Sequence, residues 1–202
     1  MLNIQRRVVP ESLNHLSQFN PVIQRIYAGR GIQHPDEIKR AAGQLLPVTS
    51  MTGINQACEV LFEALEQTHH ITIVGDFDAD GATSTALMML GLRKLGFHRV
   101  DYKVPNRFDY GYGLSPALTE EILATGTNLI ITVDNGISCL QGVAMAKAAG
   151  CNVIVTDHHL PGNSLPEADA IVNPNQPTCE FQSKNLAGVG VAFYLLLGMR
   201  AY

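Results

Sequence analysis

Three short runs of aliphatic and β-branched residues end on the same residue type: ITIVG runs into Asp76, LIITV into Asp134 and NVIVT into Asp157. Continuous apolar runs of this length, bounded by turn residues, read as strands buried on both faces, and the helix-like segments between them imply parallel crossovers. In a parallel sheet all strand carboxyl ends share one rim, and that rim is where such folds bind ligands. The fold is therefore committed to bringing Asp76, Asp134 and Asp157 to one edge, with Asp78, Asp80, His158 and His159 close behind. Carboxylates packed that closely repel one another unless a divalent cation neutralises them.

The remaining periodicities complete an α/β pattern. Strands are expected at 71–75, 99–104, 129–133, 152–156 and 170–172, with helices at 81–95, 116–125, 138–149 and 187–200. Right-handed βαβ units of this kind give an open, mostly parallel sheet with helices on both faces. Upstream, Ser12 to Gln18, Pro21 to Ala28 and Pro35 to Ala42 carry short helical patterns, punctuated by Gly29, Gly31 and Gly43. Pro21 and Pro35 suit first-turn positions. Residues 1–52 thus read as a small helical lead-in closed by the linker Leu46 to Ser50, and residues 53–202 as the α/β domain, opening with an amphipathic helix over Ile54 to Gln67.

Composition excludes several classes. With 46% hydrophobic and 16% charged residues the chain has enough apolar material for one sizeable core. The longest apolar stretch, Val191 to Met199, is too short to span a bilayer, and Arg6 and Arg7 are not followed by a signal-peptide apolar region, so a cytoplasmic location away from membrane is the expectation. Cys58, Cys139, Cys151 and Cys179 show no C-x-x-C spacing and read as reduced, buried thiols. A net charge of −4 argues against a broad basic nucleic-acid face, although much of the acidity belongs to the rim aspartates, whose sign bound metal would invert.

The first acidic loop, Asp76-Phe77-Asp78-Ala79-Asp80-Gly81, resembles the start of an EF-hand loop but fails as one. Leu87 stands where a bidentate glutamate is required, and a β-branched strand precedes the loop where a helix is required. Surface capping of the next helix accounts for Asp80 alone, leaving metal ligation as the reading for Asp76 and Asp78. In Asp157-His158-His159-Leu160-Pro161-Gly162 a Pro-Gly turn follows the histidines, and a neighbouring carboxylate can fix an imidazole tautomer. The other pair, His69-His70, precedes a strand without acids beside it and reads as a solvated turn. Asp134, ahead of the tight Asn135-Gly136 turn, could bridge two cations. A donor set of carboxylates with one or two imidazoles suits manganese or magnesium better than zinc. On the phosphate side, Asn106 and Arg107 open a glycine-rich loop, Tyr110 to Pro116, directed to the same rim, and Arg107 is the candidate for gripping a phosphate. Gly188 and Gly190 open the last helix with unhindered amides that favour anions. Phe108, Tyr110 and Tyr112 are candidates for stacking on bases or for packing in the loop.

In order, GDFDADGATST, VPNRFDYGYGLSP, TVDNGIS, VTDHHLPG and LAGVGVAF resemble the successive motifs of the DHH phosphoesterase superfamily, above all its single-strand-specific DNA exonuclease branch. The resemblance implies two divalent cations, Mn2+ or Mg2+, and degradation of single-stranded DNA from 5′ to 3′ into mononucleotides in repair and recombination. It also implies a single-strand-binding protein and a recombination helicase as partners. By position, Asp76, Asp78, Asp80, Asp134 and His158 match metal-site residues, Asp157 orients or supplements them, and His159 and Arg107 face the phosphate. Members of that branch extend further, with another metal-binding aspartate and additional domains, which implies that this segment alone is poorly active. The alternatives are another DHH phosphoesterase acting on short RNA, cyclic dinucleotides or pyrophosphate, or a non-catalytic single-strand-binding scaffold.

Overall fold

The apolar runs become strands β1 (Ile71–Val74), β2 (Val100–Lys103), β3 (Leu129–Val133), β4 (Asn152–Thr156) and β5 (Ala170–Val172) in a computed structural model that describes residues 5, 8–9, 14–39 and 41–202. They form one sheet in the order β2-β1-β3-β4-β5, and every pairing is parallel. Ile71 lies beside both Val100 and Leu129, and Leu129 beside Asn152, so β1 to β4 start level and finish level. Their carboxyl ends therefore deliver Asp76, Asp134 and Asp157 to one rim.

The chain leaves β1 toward β2 on one side and later returns to place β3, β4 and β5 on the other. The crossover direction thus reverses between β1 and β3, and a crevice opens there at the carboxyl edge. Asp76 and Asp134 follow the two strands that flank this crevice.

Period-two alternation divides the sheet residues between two cores. Ile71, Ile73, Leu129, Ile131, Val133, Ile154, Ala170 and Val172 pack on one face with helices α2 (Ile54–Glu66), α3 (Ala79–Lys94) and α7 (Gly188–Ala201). Val74, Ile130, Val153 and Val155 pack on the other with α5 (Pro116–Ala124) and α6 (Leu140–Ala148). Each fully buried aliphatic side chain contributes roughly 1.5–3 kcal/mol before chain entropy is counted, so both faces must be covered for the sheet to persist.

Helix ends follow the chemistry of their caps. Ser115 accepts the Leu118 N–H with Pro116 in the first turn of α5, as the sequence predicts. At α3 the cap is Asp78, which accepts the Gly81 N–H at 2.9 Å, rather than Asp80. The glycine-rich loop also holds a short helix, α4 (Arg107–Tyr110), which is too brief for a periodicity to reveal.

The chain divides into two compact units, residues 1–45 and 46–202. In the first, α1 (Pro21–Gly29) carries its expected first-turn proline, capped by Asn20. The helix expected from Pro35 to Ala42 is instead a 3-10 turn, Pro35–Ile38, followed after residue 40, which lies outside the described residues, by a second turn, Ala42–Gln44. Of the helix expected from Ser12, residues 12 and 13 lie outside the described residues, and Asn14–Leu16 forms a 3-10 turn. Among the described residues no helix is long and apolar enough to cross a membrane.

His70 corrects the reading of the first histidine pair. It is 8% exposed, and its Nε2 lies 2.8 Å from Asp101 on β2, so it locks the amino-terminal end of the sheet rather than a solvated turn.

Candidate functional site

Asp134 is the pivot of the rim. Its φ of +61° places a non-glycine residue in the left-handed region, which costs on the order of 1–3 kcal/mol and is tolerated best by Asp and Asn. This turn ends β3 abruptly and directs the carboxylate into the crevice, where the residue is 2% exposed. Oδ1 is buried without a hydrogen-bond partner, although His158 Nε2 lies 3.1 Å away. Burial, and then the charges of Asp80 and Asp78, push its carboxyl up to about 7.

Two sets of donors overlap at this residue. One ligand atom each from Asp76, Asp78 and Asp134 lie within 4.8 Å of one another, and the same holds for Asp134, His158 and His159. Six-coordinate magnesium or manganese, with ligands near ~2.1 Å, sets its donors about 3 to 4.2 Å apart. The clusters are close to that size, and the Asp134 Oδ1 that accepts no hydrogen bond is the kind of atom a cation satisfies. Hard oxygen donors with imidazole nitrogen suit magnesium or manganese.

The buried Asn135, next in sequence, ties the rim together. Its side-chain amide donates to Val74 O and Val133 O, both at 2.9 Å, and so joins the ends of β1 and β3. This fixes the distance between the loops that carry Asp76 and Asp134. Sequence reading assigned Asn135 only to a turn.

Asp157 is 1% exposed and fully engaged. Oδ2 accepts the Ile137 N–H at 2.9 Å, while Oδ1 accepts the N–H groups of His158 and His159 and meets His159 Nδ1 at 2.7 Å. Burial pushes this carboxyl up, but the hydrogen bonds from His159 and Ile137 outweigh it and leave it below the usual range. The same hydrogen bond raises His159, against the opposing effect of its own burial. Asp157 therefore orients His159 while lining the same crevice.

Two asparagines beyond β5 secure the histidine backbone. Asn173 donates to His159 O at 3.0 Å and Asn175 to His158 O at 2.5 Å. Both follow a strand that ends on the same rim, and that position was the signal available in the sequence.

Asp80 departs from expectation. Its oxygens accept the N–H groups of Gly188 and Val189 at 2.7 and 2.8 Å, so it caps the last helix, while Oδ2 stays 3.7 Å from His158 Nε2. Its place is the border of the donor set, outside both clusters. The amides of Gly188 and Gly190, expected to be open to a phosphate, are taken by Asp80 and by Ala187 O. Gly188 is required for a different reason: a Cβ there would fall 2.6 Å from Asp134 Oδ1.

Arg107, Tyr112, Ile137, Ser138, Asp76, Asp78, Asp157 and His159 line a cavity of about 320 Å³. Arg107 reaches it from α4 and bonds Asp76. Tyr112 donates its hydroxyl to Asp134 O at 3.3 Å and stands edge-on to the His159 ring. Burial, then the Asp157, Asp76 and Asp134 charges, push the Tyr112 phenol upward, so it stays a neutral donor. Asn106 acts locally instead, accepting the Phe108 N–H and donating to Asp109. Tyr110 is committed to Glu121, whereas Phe108 is 98% exposed.

Residues 70–202 match the family model described as DHH family, N-terminal domain. The chain is 52% identical over 199 residues to the single-stranded-DNA-specific exonuclease RecJ of Salmonella typhimurium, covering 98% of this chain and 34% of that protein. It is 54% identical over 198 residues to the RecJ of Haemophilus influenzae, covering 98% and 34% respectively. It thus spans about a third of the length of these curated relatives. Among solved structures, Thermus thermophilus RecJ in complex with Mn2+ aligns with a TM-score of 0.72 at 30% identity, over 96% of this chain and 28% of that one. An exonuclease RecJ bound to manganese aligns with a TM-score of 0.70 at 37% identity, over 78% and 40%. From a five-stranded parallel sheet, an aspartate at three of its strand ends and a matching family model, it follows that this chain belongs to the DHH family.

Proposed function

We propose that this chain carries the metal-binding phosphoesterase centre of a single-stranded-DNA exonuclease that works from 5′ to 3′ with two divalent cations, manganese or magnesium. The observation that carries the reading is the buried Asp134, a member of two clusters of carboxylate and imidazole donors at the sheet's switch point, whose Oδ1 accepts no hydrogen bond and lies 3.1 Å from His158 Nε2. Similarity to the RecJ exonucleases, two of whose solved structures hold Mn2+, supports the substrate and the metals.

In this reading Asp76, Asp78, Asp134 and His158 hold the cations, with Asp80 bordering the set. Bound cations supply activation of the attacking water and neutralisation of the phosphoryl oxygens. His159, its Nδ1 held by Asp157, keeps its other nitrogen for the substrate and stays protonated to a higher pH than an isolated imidazole. It is suited to donate a hydrogen bond to the scissile phosphate or a proton to the departing oxygen. Arg107 lines the same cavity and contributes a guanidinium to the phosphate. Single strands are selected by stacking of unpaired bases on exposed aromatics, for which Phe108, next to Arg107 and 98% exposed, is the candidate. Residues 1–52 serve as a lead-in and 53–202 as the DHH domain. The setting is DNA repair and recombination in the cytoplasm, alongside a single-strand-binding protein and a recombination helicase.

The test is manganese-dependent release of mononucleotides from 5′-labelled single strands, with duplex DNA and pyrophosphate as comparison substrates. Slow release from single strands alone, lost in Asp78→Ala and Asp134→Ala, is expected. Release that survives both substitutions refutes the assignment.

A further inference from the structure

We infer that Arg107 is a charge placeholder: its guanidinium and a divalent cation are alternative partners of the Asp76 carboxylate, and a cation entering the site expels it into the cavity, where it becomes available to a phosphate. This rests on the metal-site reading above and adds an order of events to it.

Asp76 is 5% exposed, and a carboxylate that deep needs a counter-charge. Arg107 provides one, with Nη2 3.1 Å from Oδ1 and 2.9 Å from Oδ2. Oδ1 also accepts the Phe77 N–H at 2.8 Å. Asp76 is at the same time one of the three carboxylates whose oxygens come within 4.8 Å of one another. A guanidinium and a divalent cation therefore compete for the same oxygens.

The pair is built to release. Both contacts run through Nη2 alone, so the planar fork is not matched to the carboxylate as in a two-nitrogen, two-oxygen pair. The Arg107 side chain is 44% exposed, so moving it disturbs no packed core. Two rings supply a track for the movement: the guanidinium carbon lies 3.8 Å from the Phe77 centroid and 5.1 Å from that of Tyr112. Tyr112 lines the cavity, so a guanidinium that slides from Phe77 toward Tyr112 stays stacked while it turns from Asp76 to the open space. Two positive charges a few ångströms apart in a partly buried site drive the motion. Cation and phosphate then bind cooperatively, because the first frees the ligand of the second.

The experiment uses the whole chain. Mn2+ affinity is measured by calorimetry for wild type and Arg107→Met, and the rate of Arg107 modification by phenylglyoxal is followed by mass spectrometry with and without saturating Mn2+. Arg93, bonded to Val100 O, serves as the internal reference. Mn2+ is expected to bind Arg107→Met about tenfold more tightly and to accelerate wild-type Arg107 modification severalfold, with Arg93 unchanged. An unchanged Arg107 rate at saturating Mn2+ overturns the placeholder, because tighter binding by the variant then reflects only net charge. Equal affinity in wild type and variant overturns it too, with the metal site intact. Absence of Mn2+ binding by wild type and Asp134→Asn alike sinks the metal-site reading itself, and the placeholder with it.

Discussion

Replacing Asp134 with Asn should stabilise the metal-free protein while abolishing its response to metal. The Asp134 carboxyl is held near 7 by burial and by the Asp80 and Asp78 charges, against an ordinary value of 3.8. The sign follows from proton counts. Between those two values the folded protein keeps a proton that the unfolded chain has released, so stability falls as pH rises through this window and stays lowered above it. At 1.36 kcal/mol for each tenfold change in proton affinity, the full penalty is on the order of 4 kcal/mol above pH 7 and well under half of that near pH 5. Asn keeps the shape and does not titrate. In urea unfolding with a chelator present, Asp134→Asn should exceed wild type by about 2–4 kcal/mol near pH 8, allowing for solvent relaxation, and by less near pH 5. Adding Mn2+ at a hundred times its dissociation constant should raise wild type by about 2.7 kcal/mol and leave the variant unmoved, closing or reversing the order. A variant no more stable than wild type near pH 8 in chelator, or a gain that does not shrink toward pH 5, would show that Asp134 is not a strained, uncompensated carboxylate.

The same displaced carboxyl predicts that Mn2+ affinity, read by calorimetry, climbs as pH rises toward 7 and levels off above it, since the ligand must lose its proton first. In Gly188→Ala the new methyl meets Asp134 Oδ1, so Mn2+ binding should weaken by at least tenfold and urea unfolding should show a loss of about 1–3 kcal/mol. Asn135→Ala strips the donors from Val74 O and Val133 O and should cost about 2–3 kcal/mol, with a parallel loss of metal affinity because the β1 and β3 loops are no longer fixed. Burial pushes the thiols of Cys58 and Cys151 up to about 11. Both should therefore resist a disulfide reagent at pH 8 in the native state and react at once in urea, whereas prompt native reaction would contradict their placement.

The strands were legible because their signal is local. At 129–133, 152–156 and 170–172 a β-branched run bounded by turn residues contains all the information the sheet needs, and the observed limits coincide with the expected ones. The convergence of Asp76, Asp134 and Asp157 was legible for the same reason, since parallel strands leave one rim to share. Long-range partners were not. Nothing near Asp80 announces that its carboxylate closes on amides 108 and 109 residues later, and a reading of Gly188 as an open anion site misses that the anion is already supplied by the protein. Asn135 looked like a turn residue because its bonds to Val74 require knowing that β1 and β3 are neighbours. His70 looked solvated because its cover, Asp101, arrives from the edge strand. The left-handed backbone at Asp134 was equally hidden: an apolar run specifies a strand but not the handedness of its exit.

The clasp between Asp80 and the start of the last helix bears on how the protein is made. A ribosome releases the acidic loop roughly a hundred residues before the amides that hold it, so Asp80 emerges well ahead of its two donors. When Gly188 and Val189 dock, the Asp80 carboxylate gains both amides and Gly188 seats against Asp134. The final arrangement of the rim is thereby tied to docking of the last helix, the last element of the fold to be synthesised.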